Sequence, residues 1–172
     1  DANSPDRILL ISNHVKLIDY ISLHKLLITV YPDHLPVFVS VDRVKDIPYY
    51  GNIFSKYYIL INRKDVNMED ITQKCKELYK KKVIIVLFPE GDIFRDKNIV
   101  KSNMYCLKNN MHTFDNVLCP KFKAYDIILK HFKPDQIKLS RLRYSDNQTF
   151  IKYIDFLNIF MKYPECDILL TS

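Results

Sequence analysis

Glycine is nearly missing from this chain: only Gly51 and Gly91 occur in 172 residues. So little glycine excludes a glycine-rich phosphate loop of the dinucleotide or P-loop kind. The two that remain, in Pro48-Tyr49-Tyr50-Gly51 and Phe88-Pro89-Glu90-Gly91, are expected to serve special backbone geometry. Cysteine is sparse and scattered, at Cys75, Cys106, Cys119 and Cys166, with no C-x-x-C pair. That pattern points to buried free thiols in a reducing compartment rather than to disulfides or zinc. His24, His34, His112 and His131 lack ligand spacing as well, so no metal site is expected. No apolar run approaches the roughly 18 residues of a membrane span, and no signal peptide is visible. Internal repeats, low-complexity tracts and linkers are equally absent.

What is present suits a folded domain. Apolar residues make up 48% of the chain, which excludes disorder, and the length fits one domain over 1–172. The net charge of +6 fits attraction to anionic lipid or an anionic substrate, and by itself fits nucleic acid equally well. The lysines, however, are spread along helix faces and no nucleic-acid module is recognisable, so no nucleic-acid partner is expected. The chain starts at Asp1 and runs directly into its first strand, which suggests a fragment lacking an N-terminal membrane anchor.

Apolar patterning alternates between two periods. Ile8 to Ile11, Leu35 to Val41, Tyr57 to Ile61 and Val83 to Phe88 read as strands, the last as the clearest buried one. Asn116 to Pro120, Ile137 to Tyr144 and Cys166 to Leu170 read as further strands. Between them, helical stripes run from Ile18 to about Tyr31, from a cap at Asn67 to Lys80-Lys81-Lys82, from about Ile99 to Asn110, and from Thr149 to Met161. A short helix or turn is expected over Val44 to Gly51. Strands alternating with helices predict an α/β fold with a largely parallel mixed sheet flanked by helices.

In such sheets, functional residues collect beyond the carboxyl ends of the strands. Four strand ends here carry polar or turn residues: Asn13-His14, Asn62-Arg63, Pro89-Glu90-Gly91 and Pro120-Lys121. Asp19 follows His14 across a strand-to-helix turn, a spacing that lets a carboxylate fold back on an imidazole, fix its tautomer and stabilise its cation. Each piece has a plainer reading: Asp19 as an acid favoured by the helix dipole, Arg63 as a solvated cation, Glu90 as a cap, Gly91 as a turn. Their joint occurrence, in this order, fits attack by a hydroxyl on an ester or thioester beside an anionic group.

Taken together, these blocks resemble the glycerolipid (1-acylglycerol-3-phosphate, or lysophospholipid) acyltransferases. Asn13-His14 with Asp19 matches N-H-x4-D, and Phe88-Pro89-Glu90-Gly91 matches F-P-E-G. Ile47-Pro48-Tyr49-Tyr50-Gly51 leading to Ile61-Asn62-Arg63, and Val117-Leu118-Cys119-Pro120-Lys121, are similar to the family's second and fourth blocks. The polar stretch after F-P-E-G looks closest to the lysocardiolipin and lysophosphatidylinositol branch. Asp92 and Ile93 stand where many members carry Thr and Arg. The extra carboxylate weakens phosphate binding there, with Arg95, Lys97 and Lys101 as compensating candidates.

The resemblance implies transfer of a fatty acyl group from acyl-CoA to a free hydroxyl of a lysophospholipid acceptor, at a membrane surface facing a reducing, cytosolic compartment. It implies His14 as general base with Asp19 as its partner. It also implies substrate binding by Arg63, Glu90, Gly91, Asn13 and Pro120, with Arg63 on the phosphate and Glu90 contacting a head-group hydroxyl. Acyl-CoA is then a co-substrate, with no cofactor and no metal. The rival reading is an acyltransferase-like domain that binds lipid without catalysis.

Overall fold

The five residues Val83–Leu87 are all buried, as the interior strand of a parallel sheet must be when helices cover both its faces. The computed structural model describes residues 6–41, 57–61, 68–144 and 166–171. Six strands form one sheet: β1 (Arg7–Ser12), β2 (Leu35–Val41), β3 (Tyr58–Ile61), β4 (Val83–Leu87), β5 (Gln136–Tyr144) and β6 (Cys166–Thr171). Their order is β3-β2-β4-β1-β5-β6. The first five run parallel, and β6 joins β5 antiparallel at one edge. The α/β architecture and the largely parallel mixed sheet expected from the sequence are therefore found.

Strand alternation sorts the core into two layers. Leu9, Val37, Ile85 and Leu87 turn to the face covered by α2 (Met68–Leu78) and α4 (Lys123–His131), where they meet Ile71, Cys75, Leu78, Ile128 and Phe132. Ile8, Leu10, Phe38, Ile84 and Val86 turn to the opposite face, where α1 (Asp19–Val30) sets Leu23 and Leu27 against them. Each fully buried Ile or Leu of this kind stabilises the fold by about 1.5–3 kcal/mol. On α2 the spacing Ile71, Cys75, Leu78 is i, i+4, i+7, and Glu69 and Asp70 occupy the dipole-favoured first turn.

A third helix on the β4-to-β5 connection, α3 (Asp96–Lys108), starts three residues before the expected Ile99. Two expectations are corrected. Residues 116–120 form no strand. The N–H groups of Leu118, Cys119 and Lys121 go to a carboxylate, a hydroxyl and a turn carbonyl (of Glu90, Ser102 and Pro89) rather than to a neighbouring strand. Conversely α4, unforeseen in the sequence, occupies the short stretch between Pro120 and Pro134, where it buries Ile127 and Ile128. The expectations for Val44–Gly51 and Thr149–Met161 lie outside the described residues.

Candidate active site

β1 and β4 are neighbours in the sheet. The chain leaves β1 for α1 on one face, and leaves β4, by way of α3, for α4 on the other. Adjacent strand ends whose connections depart to opposite faces create a crevice at the carboxyl edge. His14 stands two residues beyond β1, and Glu90 three beyond β4.

The backbone of the turn after β1 is almost fully accounted for. The Asn13 side chain extends the β1–β5 ladder: its Nδ2 donates to the Leu142 carbonyl (3.0 Å), and its Oδ1 accepts from the Leu142 N–H (2.6 Å). The His14 N–H donates to Glu90 Oε1 (2.9 Å). The His14 carbonyl accepts from the Phe94 N–H (3.0 Å). The Val15 and Lys16 N–H groups both donate to Asp19 Oδ2, at 2.6 and 2.9 Å. Asp19 sits in the first turn of α1, where the helix dipole favours a carboxylate. One buried acid therefore orders the loop before its own helix.

The same Asp19 Oδ2 lies 2.9 Å from His14 Nδ1, with the His14 side chain 7% exposed and that of Asp19 fully buried. A carboxylate accepts only, so Nδ1 carries the proton and Nε2 is left as the basic nitrogen. Aromatic rings hold the imidazole plane. Phe88 stacks on it at 4.4 Å between centroids and 23° between planes, and Tyr20 meets it edge-on at 5.3 Å. Tyr20 is itself fixed by Phe88, Phe38 and a 3.1 Å hydrogen bond between its hydroxyl and Ser40 Oγ. Neither Phe88 nor Tyr20 was picked out as a site residue from the sequence. Phe88 reads as the end of a buried strand and the first residue of F-P-E-G, and Tyr20 only as part of the helix that follows His14.

Glu90 is 4% exposed and spans two segments. Oε1 takes the His14 N–H, and Oε2 takes the Leu118 N–H at 2.9 Å. Burial pushes its carboxyl above the usual carboxylate range, against the two N–H donors, which favour the charged form. Both oxygens are thus engaged with main chain.

Gly91 has φ +65°, in the left-handed region, and its N–H closes the turn onto the Phe88 carbonyl (3.0 Å). A Cβ there would come within 3.2 Å of Lys121 Nζ and 3.3 Å of Lys121 Cδ, so the lysine side chain passes directly over the glycine. The Lys121 N–H donates to the Pro89 carbonyl (2.8 Å), which brings Pro120 and the fourth block against the F-P-E-G turn. The expected residues Asn13, His14, Asp19, Glu90, Gly91 and Pro120 therefore come together from three segments. Arg63 lies outside the described residues. β3, which precedes it, is three strands from β1 in the sheet, about 14 Å away at ordinary strand spacing. Asp92 Oδ1 accepts the Ile93 N–H at 2.9 Å and Ile93 is buried. The two departures from the family pattern are accommodated locally. Lys97 and Lys101, candidates to compensate for Asp92, are exposed on α3.

Among the described residues, no group of three or more His, Cys, Asp or Glu is arranged to hold a metal ion, and no helix is long and apolar enough to cross a membrane. No curated protein and no solved structure matches the chain significantly. A model of the Acyltransferase family matches residues 1–129, a span that contains every residue of the crevice described above except the Leu142 partner of Asn13. The chain belongs to the acyltransferase family.

Proposed function

We propose that the protein transfers a fatty acyl group from acyl-CoA to the free hydroxyl of a lysophospholipid, lysophosphatidic acid or a related lysolipid. The observation that carries this reading is the buried His14–Asp19 pair, with its ring oriented by Phe88 and its tautomer set by a carboxylate. His14 Nε2 takes the proton of the acceptor hydroxyl as its oxygen attacks the thioester carbonyl. The C–S bond then breaks, and the departing CoA thiolate recovers a proton from the imidazolium. Asp19 stabilises that imidazolium throughout. No acyl-enzyme is required, because among the described residues the side chain hydrogen-bonded to the histidine is Asp19, and no Ser or Cys is.

Arg63 is assigned to the acceptor phosphate. Lys121, lying over Gly91, adds a cation beside the F-P-E-G turn. Glu90 is assigned to position His14, a role its hydrogen bonds to the His14 and Leu118 N–H groups support. The site is assigned to a membrane surface on the cytosolic, reducing side, in keeping with the buried free thiols Cys75, Cys106 and Cys119.

The test is thiol release from oleoyl-CoA across a panel of lysophospholipids, for the wild type and His14→Ala. Acceptor-dependent release, lowered about 100-fold or more in the variant while its melting temperature holds, supports the reading. Lysolipid binding without release in the wild type replaces it with that of a lipid-binding domain.

A further inference from the structure

Helix α3 turns an apolar stripe to solvent. Val100, Met104 and Leu107 follow i, i+4, i+7 spacing and are 62%, 67% and 68% exposed. Fully apolar side chains at such exposure on one helix face mark a surface made for contact. Cys106 is buried on the other side of the helix, so the orientation of α3 is set by its own packing.

The stripe has a charged border. Lys97, Lys101 and Lys108 project next to it, at i, i+4 and i+11, and all three are exposed. Asp96, in the first turn, is the helix's only acid. Leu17, in the turn between His14 and Asp19, and Phe122, next to Lys121 in the chain, are also exposed. α3 itself begins just past Phe94, whose N–H is bound to His14.

We propose that this face of α3 docks on an anionic phospholipid surface, lying in the plane of the interface with Val100, Met104 and Leu107 among the acyl chains. Lys97, Lys101 and Lys108 then sit at the level of the phosphates. The helix has 13 residues, too few to cross a bilayer, and its apolar stripe with a lysine flank is the pattern of an interfacial helix. Charge complementarity selects lipid over a second copy of this basic chain, since each lysine gains from the negative surface potential of such a membrane. The inference rests on the lysolipid reading for its purpose: docking through α3 brings the His14 crevice to the bilayer in which an acceptor resides.

Flotation of the full chain tests it with vesicles of phosphatidylcholine alone and of phosphatidylcholine mixed with phosphatidylglycerol. The wild type should float with the mixed vesicles only. Val100→Ser/Met104→Ser/Leu107→Ser and Lys97→Glu/Lys101→Glu/Lys108→Glu should each lower partitioning by about tenfold or more, with melting unchanged because the altered side chains are exposed. Binding that neither variant reduces overturns the proposal. So does a wild-type dimer in solution that the serine variant converts to monomer. Flotation reads no chemistry, so its outcome separates from that of the acyl-transfer assay. Lipid binding without CoA release removes the reaction and keeps the surface. CoA release from vesicle-borne acceptor that is equal in wild type and both variants removes the surface and keeps the reaction.

Discussion

Replacing Glu90 by Gln changes one oxygen to an NH2 group and little else in shape, yet the geometry around it predicts a large effect. Oε1 and Oε2 each accept a main-chain N–H, from His14 and Leu118, at 2.9 Å. Gln offers one acceptor, so in either amide orientation one buried N–H faces another donor. An unsatisfied buried donor costs about 1–3 kcal/mol. For a chain of this length about 2–4 °C of melting temperature accompanies each kcal/mol, so a loss near 2 kcal/mol lowers it by roughly 4–8 °C. Since one of the two donors is His14's own N–H, kcat should fall as well, with the KM for the acceptor little changed.

A pH scan adds a second reading of Glu90. Burial raises its pKa, so the native state keeps a proton that the unfolded chain has already released. Stability therefore declines as pH rises from the usual carboxylate range through the raised value, and Gln removes that decline. Thermal melts at several pH values, together with steady-state kinetics, measure all of this. An unchanged melting temperature with a raised acceptor KM refutes the reasoning and returns Glu90 to the substrate.

Asp19→Asn keeps an acceptor for the Val15 and Lys16 N–H groups but removes the charge that stabilises the imidazolium; kcat should fall by about 100-fold or more. Asp19→Ala orphans those donors too and should cost more stability, so equal melting temperatures for the two variants contradict the loop-ordering role. Gly91→Ala places a Cβ at φ +65°, which costs about 1–2 kcal/mol. Lys121→Ala in the same chain should recover only the part due to crowding, and full recovery in denaturant titrations counts against the backbone argument. Hydrogen bonds from Arg7 hold the Asp135 carboxyl below its ordinary 3.8, aided by the charge of the same guanidinium. That stability is complete above the ordinary value and is lost as pH falls through the lowered one. Because the Asp135 side chain is exposed to water, Asp135→Asn should cost no more than about 1 kcal/mol at neutral pH. It should flatten the acid limb of the stability curve; an unaltered limb excludes the pair as its source.

The six strands, helices α1 to α3, the fully apolar centre at Val83–Leu87 and the blocks around His14, Asp19, Glu90 and Gly91 were legible in the sequence. Each depends on local period, on a residue with special backbone freedom, or on a spacing within one turn of helix. The departures came where distant segments meet. Leu118 looks like strand until Glu90, 28 residues earlier, takes its N–H; without that carboxylate the backbone would need a neighbouring strand. Helix α4 carries too short an apolar pattern to announce itself, and is held by Phe132, Ile127 and Ile128 against β-strand side chains far away in the chain. Composition reveals that Glu90 is an acid; only the crossing of β1, β4 and the segment after α3 makes it a main-chain clamp behind His14. The stacking of Phe88 and the edge of Tyr20 on the imidazole have the same origin. Sequence specifies which groups are available and how neighbours along the chain repeat, whereas hydrogen-bond partners and ring contacts between remote segments are fixed by the three-dimensional packing that must satisfy every buried donor at once.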